Sequence, residues 1–255
     1  MVSEAQKERF AALCEAAVAV EGGQMGIGTL GEKTMHRVLK YFFCPDANFH
    51  EVGLGSFVAD VVVDDVIYEI QTGGFYPLRK KLAYYLERGD KTVVIAVPVI
   101  GKKRLLWIDP ETGESVGQPR ARTQPRAHMR VLRELFRLCD LLDFSRVTLC
   151  LICVEADEYR MLDGYGQNKK TKATKIEKIP RALLDLIDLA SAADVARVFL
   201  PESLPSPFTS AEFSRLTGAK RRALSADLYA LEKLGVIERA GKKGNAVLFA
   251  KVEQK

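Results

Sequence analysis

Three short β-branched runs follow one another with only two residues between them: "FHEVGL" (49–54), "FVADVVV" (57–63) and "VIYEIQT" (66–72). No other feature constrains the fold as much. Gaps that short leave room for hairpins alone, and hairpins pair their strands antiparallel. The next stretch, "PLRKKLAYYLE" (77–87), has helical periodicity and opens on proline, which is favoured at a first helical position. It leads into the apolar run "KTVVIAVPV" (91–99). Consecutive strands, then a crossover helix, then more strands predict a mixed sheet in an α/β domain.

Around this centre the periodicity predicts helices over 4–20 and 32–43. A separate strand is expected at "RLLWID" (104–109), followed by a turn at "DPETGE". Further on, residues 129–142 read as a helix, 146–155 as a strand and 180–190 as a helix, with another helical stretch to 199. Three prolines in "PESLPSPF" (201–208) mark the best domain boundary. The chain therefore divides into residues 1–200, with a basic extension at the end, and 201–255.

With 47% apolar and 28% charged residues, 255 residues suffice for a real core. The longest apolar run, 92–100, is too short for a bilayer. The polar N-terminus lacks a signal-peptide pattern, so a cytoplasmic protein with no membrane partner is expected. Five cysteines, an odd number, argue against a disulfide framework. Cys150 and Cys153 form a lone C-x-x-C that reads as part of a buried strand.

The net charge is only +5, but it is unevenly spread. Residues 118–133 hold five arginines and no acid, and residues 167–181 hold six cations against Glu177. Two such runs make an anionic polymer a reasonable partner.

The hairpin poses a chemical question. With Asp64-Asp65 at its tip, Val63 pairs with Val66, Val62 with Ile67, Val61 with Tyr68 and Asp60 with Glu69. Directly opposed residues share a face, and Gln71, two residues on, shares it too. Opposed carboxylates repel, and a hard divalent cation such as Mg²⁺ is the natural compensator. Spacing alone leaves two readings open: a metal pair, or a hairpin end where both charges are solvated.

A helix, a strand carrying Asp60, then "YEIQT" and another helix resemble the PD-(D/E)XK nuclease superfamily in its E-x-Q form. The stretch from "TLGEKTMHRVLKYF" to "IYEIQTGGFYPLRKKL" also resembles a bacterial family that joins such a domain to a winged helix. The resemblance implies a restriction-endonuclease-like fold and Mg²⁺-dependent hydrolysis of DNA. It implies that Asp60, Glu69, the backbone carbonyl of Ile70 and Glu32 bind the metal, and that Gln71 holds the attacking water. His50 and Glu51 would border the site. Glutamine cannot supply the positive charge of the usual lysine. Lys81, beside the buried stripe Leu78, Leu82 and Tyr85, is the candidate substitute; its other reading is an ordinary lysine with its stem along the surface.

Two further patterns are discounted. Gly26, Gly28 and Gly31 spell G-x-G-x-x-G, but no strand precedes them. His36 and His128 have no partners at ligand spacing and read as structural.

The tail reads as a winged helix-turn-helix. Thr209 and Glu212 form a capping box, Phe208 and Phe213 a staple, and Gly218 ends the first helix. A second helix over 220–234 buries Leu224, Leu228, Leu231 and Leu234, and a hairpin follows. Lys220 and Arg221 start the second helix, and Arg222, Ser225, Tyr229 and Lys233 form its outward face. Lys242 and Lys243 sit at the wing tip. These residues suit DNA, with the helix in the major groove and the wing on phosphates; a winged helix used for protein contacts is the alternative. The expected function is thus a metal-dependent DNA nuclease. The rival readings are a non-catalytic DNA-binding or regulatory protein on a degenerate nuclease fold, and an adaptor that binds no nucleic acid. Expected partners are DNA and, as an option, a second copy of the chain.

Overall fold

The computed structural model describes residues 2–20, 33–89, 91–165 and 172–253. Its centre is a mixed seven-stranded sheet. Strands β1 (His50–Leu54), β2 (Phe57–Val63) and β3 (Val66–Ile70) form the antiparallel meander that the sequence predicts. Helix α3 (Leu78–Arg88) then crosses over, so that β4 (Thr92–Ile108) lies parallel to β3. Strand β6 (Val147–Met161) is parallel to β4, and β7 (Thr174–Leu189) closes the sheet antiparallel to β6. Strand β5 (Ser115–Thr123) folds back onto the far half of β4.

The sheet separates two cores because its central strands are apolar on both faces, as parallel strands covered on both sides must be. Along β6, Leu149 and Leu151 face one core, whereas Cys150, Ile152 and Val154 face the other. Helices α1 (Glu4–Val20) and α2 (Thr34–Phe43) cover the second face. Met35, Val38, Leu39 and Phe42 recur along α2 at helical spacing, and all four are buried there. Helices α3 and α4 (Met129–Leu135) cover the first face, with α5 (Ala192–Phe199) beside them. Leu78, Leu82 and Tyr85 are the buried stripe of α3, as expected.

Several expectations need correction. The two strands expected over 91–109 are one strand, whose ladder with β6 shifts register between Ile100 and Lys102. The helix expected over 180–190 is instead the second half of β7. "RALLDLIDLA" satisfies helical spacing, but pairing with β6 decides the conformation, a tertiary override of local pattern. Strand β5 lies in the arginine-rich run and is exposed at every residue, so it carries no hydrophobic alternation to betray it. The helix expected over 129–142 is regular only to Leu135.

The tail has the expected elements. Helix α6 (Ser210–Thr217) opens with the reciprocal Thr209–Glu212 capping box. The Phe208 and Phe213 rings stack at 6.1 Å. Helix α7 (Arg221–Lys233) follows, then strands β9 (Ile237–Lys243) and β10 (Ala246–Lys251). Strand β10 pairs with both β9 and the two-residue β8 (Phe208–Thr209). Gly218 ends α6 at φ +73°, and a Cβ there would lie 2.8 Å from the Arg126 guanidinium. The left-handed backbone favours glycine, and a side chain there would also have to displace the Arg126 guanidinium. The tail is not an isolated unit: Phe208, Phe213, Leu228, Leu231 and Phe249 belong to the same core as α3 and α4.

Candidate functional site

The β2–β3 ladder contains the pairs Val61–Tyr68, Val62–Ile67 and Val63–Val66. The expected fourth pair, Asp60 with Glu69, is not part of it. Instead the Ile70 N–H donates to Asp60 Oδ2 at 2.7 Å, so the carboxylate takes the place of a strand acceptor. His36 Nε2, on α2, lies 3.3 Å from the same oxygen. Burial pushes the Asp60 pKa up, but the hydrogen bonds from His36 and from Ile70 outweigh it and hold the carboxyl below its ordinary value.

Glu69 is 1% exposed and is held from α3. Lys81 Nζ donates to Oε2 at 2.6 Å, and the Tyr85 hydroxyl donates to Oε1 at 3.1 Å. Positions 81 and 85 stand one turn apart on one helix face, which is why both reach one carboxylate. Burial, and then the charge of Asp60, raise the Glu69 pKa to about 7 despite Lys81. The two carboxylates are thus pushed in opposite directions. The same causes, burial and Glu69, raise the Tyr85 phenol.

The other expected residues are placed as follows. Gln71 follows β3, donates its N–H to Ala96 O at 2.8 Å and lines a cavity of about 510 Å³. Ile70 engages Asp60 through its N–H. His50 Nε2 meets Cys44 O at 2.9 Å, and Glu51 pairs with Lys40 at 3.0 Å, so both turn to α2 and its C-terminal end. Glu51 falls between the β1–β2 pairs Val52–Ala59 and His50–Val61, and its φ is +52°. This uncommon backbone for a non-glycine residue is the kind of local strain that gathers at functional sites. Glu32 and the G-x-G-x-x-G motif lie outside the described residues.

His36 stands out in the sequence only as a histidine without partners at ligand spacing, and its approach to Asp60 comes from packing of α2 on the hairpin. In the helix expected over 32–43, positions 32 and 36 share a face, so a Glu32 aimed at Asp60 implies His36 beside it. The Tyr85 hydroxyl carries no sequence signal beyond its place one turn after Lys81. Cys150 and Cys153 belong to opposite faces of β6, and all five cysteines are free. Among the described residues, no group of three or more His, Cys, Asp or Glu side chains is arranged to hold a metal, and no helix is long and apolar enough to cross a membrane.

On the tail, Lys220, Arg221, Arg222, Ser225, Tyr229 and Lys233 are all exposed, as are Lys242 and Lys243 beside the β9–β10 turn. Tyr229 is shared with the body of the protein: its ring meets that of Phe136 at 5.2 Å, and Lys233 Nζ sits 5.7 Å from its centroid. The open part of α7 is therefore its first half.

A family model described as a domain of unknown function, DUF8091, matches residues 33–190. The match runs from the residue before α2 to the residue after β7. It takes in Asp60, Glu69, Lys81 and the cavity beside Gln71, and leaves out α1 and the tail. An uncharacterized protein of Treponema pallidum (strain Nichols) is 31% identical over 151 residues, which is 58% of this chain. The chain spans 58% of that protein's length. No solved structure matches significantly.

Proposed function

We propose that the chain, which belongs to the DUF8091 domain family, is a DNA-binding protein whose β2–β3 hairpin carries a phosphodiester-hydrolysing centre. One observation carries the proposal: Lys81 Nζ stands 2.6 Å from Glu69, beside Asp60. A cation from α3 thereby supplies the charge that the E-x-Q sequence lacks at Gln71.

Asp60 and Glu69 suit Mg²⁺ in the kind of donor they offer, since hard cations take carboxylate oxygens. Burial, and then the charge of Asp60, raise Glu69 to about 7, so a bound cation would favour its ionised form. The two would hold the ion, with Glu32 as the proposed third oxygen donor. A bound divalent ion supplies an acidified water and neutralises charge on a phosphate. Lys81 places positive charge next to these carboxylates, Gln71 offers an amide to orient water, and His36 fixes the Asp60 carboxylate. In this reading the tail acts as a winged helix. Arg221, Arg222 and Ser225 meet duplex DNA, and Lys242 and Lys243 contact phosphates.

A second reading, a DNA-binding protein without catalysis, is favoured by the closure of Glu69, both of whose oxygens already accept bonds from α3. Thermal melts distinguish the two. Millimolar Mg²⁺ or Mn²⁺ should raise the melting temperature of the wild type, because a ligand of the native state stabilises it by mass action. Asp60→Asn should remain folded and lose that response. No shift and no heat of binding in the wild type, with DNA present as well as absent, would leave the non-catalytic reading.

A further inference from the structure

Two cavities lie side by side and share Lys103 and Gln124 in their walls. The first, about 510 Å³, begins at Gln71 and is lined by Lys33, Arg130, Arg133, Lys175 and Lys178, with Glu134, Glu158 and Glu177 among them, so cations outnumber the carboxylates in its wall. The second, about 600 Å³, runs along the β4–β5 hairpin and is lined by Trp107, Arg120, Arg122 and Arg160. Glu158 pairs with both Lys103 and Arg160, so that trio keeps one net positive charge. Among the described residues, Arg120, Arg122, Arg130, Lys175 and Lys178 have no ion-pair partner, while Arg133 also feels the Asp227 carboxylate. The crowding is tight enough to be felt: burial, with Lys175 and Arg130 adding to it, lowers the Lys178 pKa to about 8, against the opposing pull of Glu158. Like charges gathered in concave walls repel one another, and a polyanion relieves the repulsion.

We propose that the two cavities form one track for a single nucleic-acid strand, with its phosphates along the arginines and lysines and a base stacked at Trp107. The track is separate from α7. It runs from the exposed β5 arm to Gln71, where it meets the hydrolytic centre proposed above; the binding stands without that centre, and only the fate of the strand at Gln71 rests on it. A cationic groove joined to an aromatic side chain is the pattern that binds unpaired strands, because every base has a face to stack. In a duplex those faces are already covered by neighbouring bases. The apolar floor of the first cavity, Val97 to Ile100 with Val131, suits bases and sugars rather than a bare inorganic chain.

Trp107 is the chain's single tryptophan, so its fluorescence reports on the track alone. The experiment is a titration of the full chain, in EDTA, with oligo(dT), with the same oligonucleotide annealed to oligo(dA), and with polyphosphate. Oligo(dT) should quench Trp107 and bind about tenfold more tightly than the duplex, the size expected of one stacked base. Its affinity should fall steeply with salt as counterions are released. The double variant Arg120→Ala/Arg122→Ala, on a fully exposed strand, should weaken binding by about tenfold. Lys178→Met, which keeps the buried stem, should weaken it from the other cavity. Absence of quenching, equal quenching by duplex or by polyphosphate, or unchanged affinity in both variants would each overturn the track. Adding Mg²⁺ afterwards separates the two claims. Quenching without cleavage leaves the track and removes the hydrolytic centre, whereas cleavage without quenching does the reverse.

Discussion

Asp227→Asn should stabilise the protein, and more so at alkaline than at acid pH. Asp227 lies on the buried side of α7, is 1% exposed, and has one carboxylate oxygen, Oδ1, without a hydrogen-bond partner. Burial raises its pKa from 3.8 to about 6, against the opposing pull of Arg133 of α4. A carboxyl whose folded pKa is raised binds its proton more tightly in the folded state. Stability is therefore lost as the pH rises from the unfolded to the folded value, and the loss is complete above about 6. A shift of about two units corresponds to about 3 kcal/mol at pH 8 and to about half that at pH 5. The amide is never charged, so Asp227→Asn removes the penalty while nearly keeping the shape. Urea unfolding of both proteins at pH 5 and pH 8 measures the difference. A gain that is the same at the two pH values, or no gain at pH 8, would refute the burial argument. The result also bears on architecture, because Asp227 faces Arg133 where the tail meets α4.

Other outcomes follow from the same geometry. Lys81→Met removes the ammonium from a buried carboxylate, which by itself costs about 3–5 kcal/mol. Because Glu69 already sits near 7, it can take up a proton instead. The melting temperature should therefore fall little at pH 6 and much more at pH 8.5, and an equal fall at both would contradict the assigned pair. His36→Ala takes a donor from Asp60, whose depressed pKa contributes stability that is present above 3.8 and is lost as the pH falls through its folded value. The variant should lose less stability on acidification than the wild type, as chemical denaturation at pH 3 and pH 6 would record. Lys220→Ala with Arg222→Ala should weaken duplex DNA binding and lower the log–log salt slope by about two. An unchanged slope would remove α7 from the interface.

Much of this was legible because local and tertiary preferences agree. The meander, its Asp64-Asp65 tip and the crossover helix follow from short gaps and alternation, and the register is right for three pairs. The tail follows from its capping box and glycine stops, which are strong local signals. Failures occur where tertiary pairing overrides local pattern. Residues 180–190 carry leucines at helical spacing yet pair with β6, and β5 has no apolar side to reveal it. The site was legible in part. Charge opposition and helix phase suggested Asp60, Glu69 and Lys81, and these three side chains do come together. The departure of Asp60 from the ladder was not legible, because it depends on the Ile70 amide and on His36 arriving from another helix. Glu51 repeats the lesson: its sequence position suggests a border residue, whereas its left-handed backbone turns it to Lys40.

Asp60, Glu69 and Lys81 are proposed to form a hydrolytic centre for DNA. Its most direct test is incubation of the full chain with labelled single-stranded, duplex and branched DNA in Mg²⁺ or Mn²⁺. The products are then resolved by size, beside Asp60→Asn and Lys81→Met. Products are expected with the wild type, none with Asp60→Asn, and a rate reduced about a hundredfold or more in Lys81→Met, the scale of losing one charge that stabilises a transition state. DNA bound by the wild type but left intact with both metals, or cut equally by Asp60→Asn, would contradict the proposed centre.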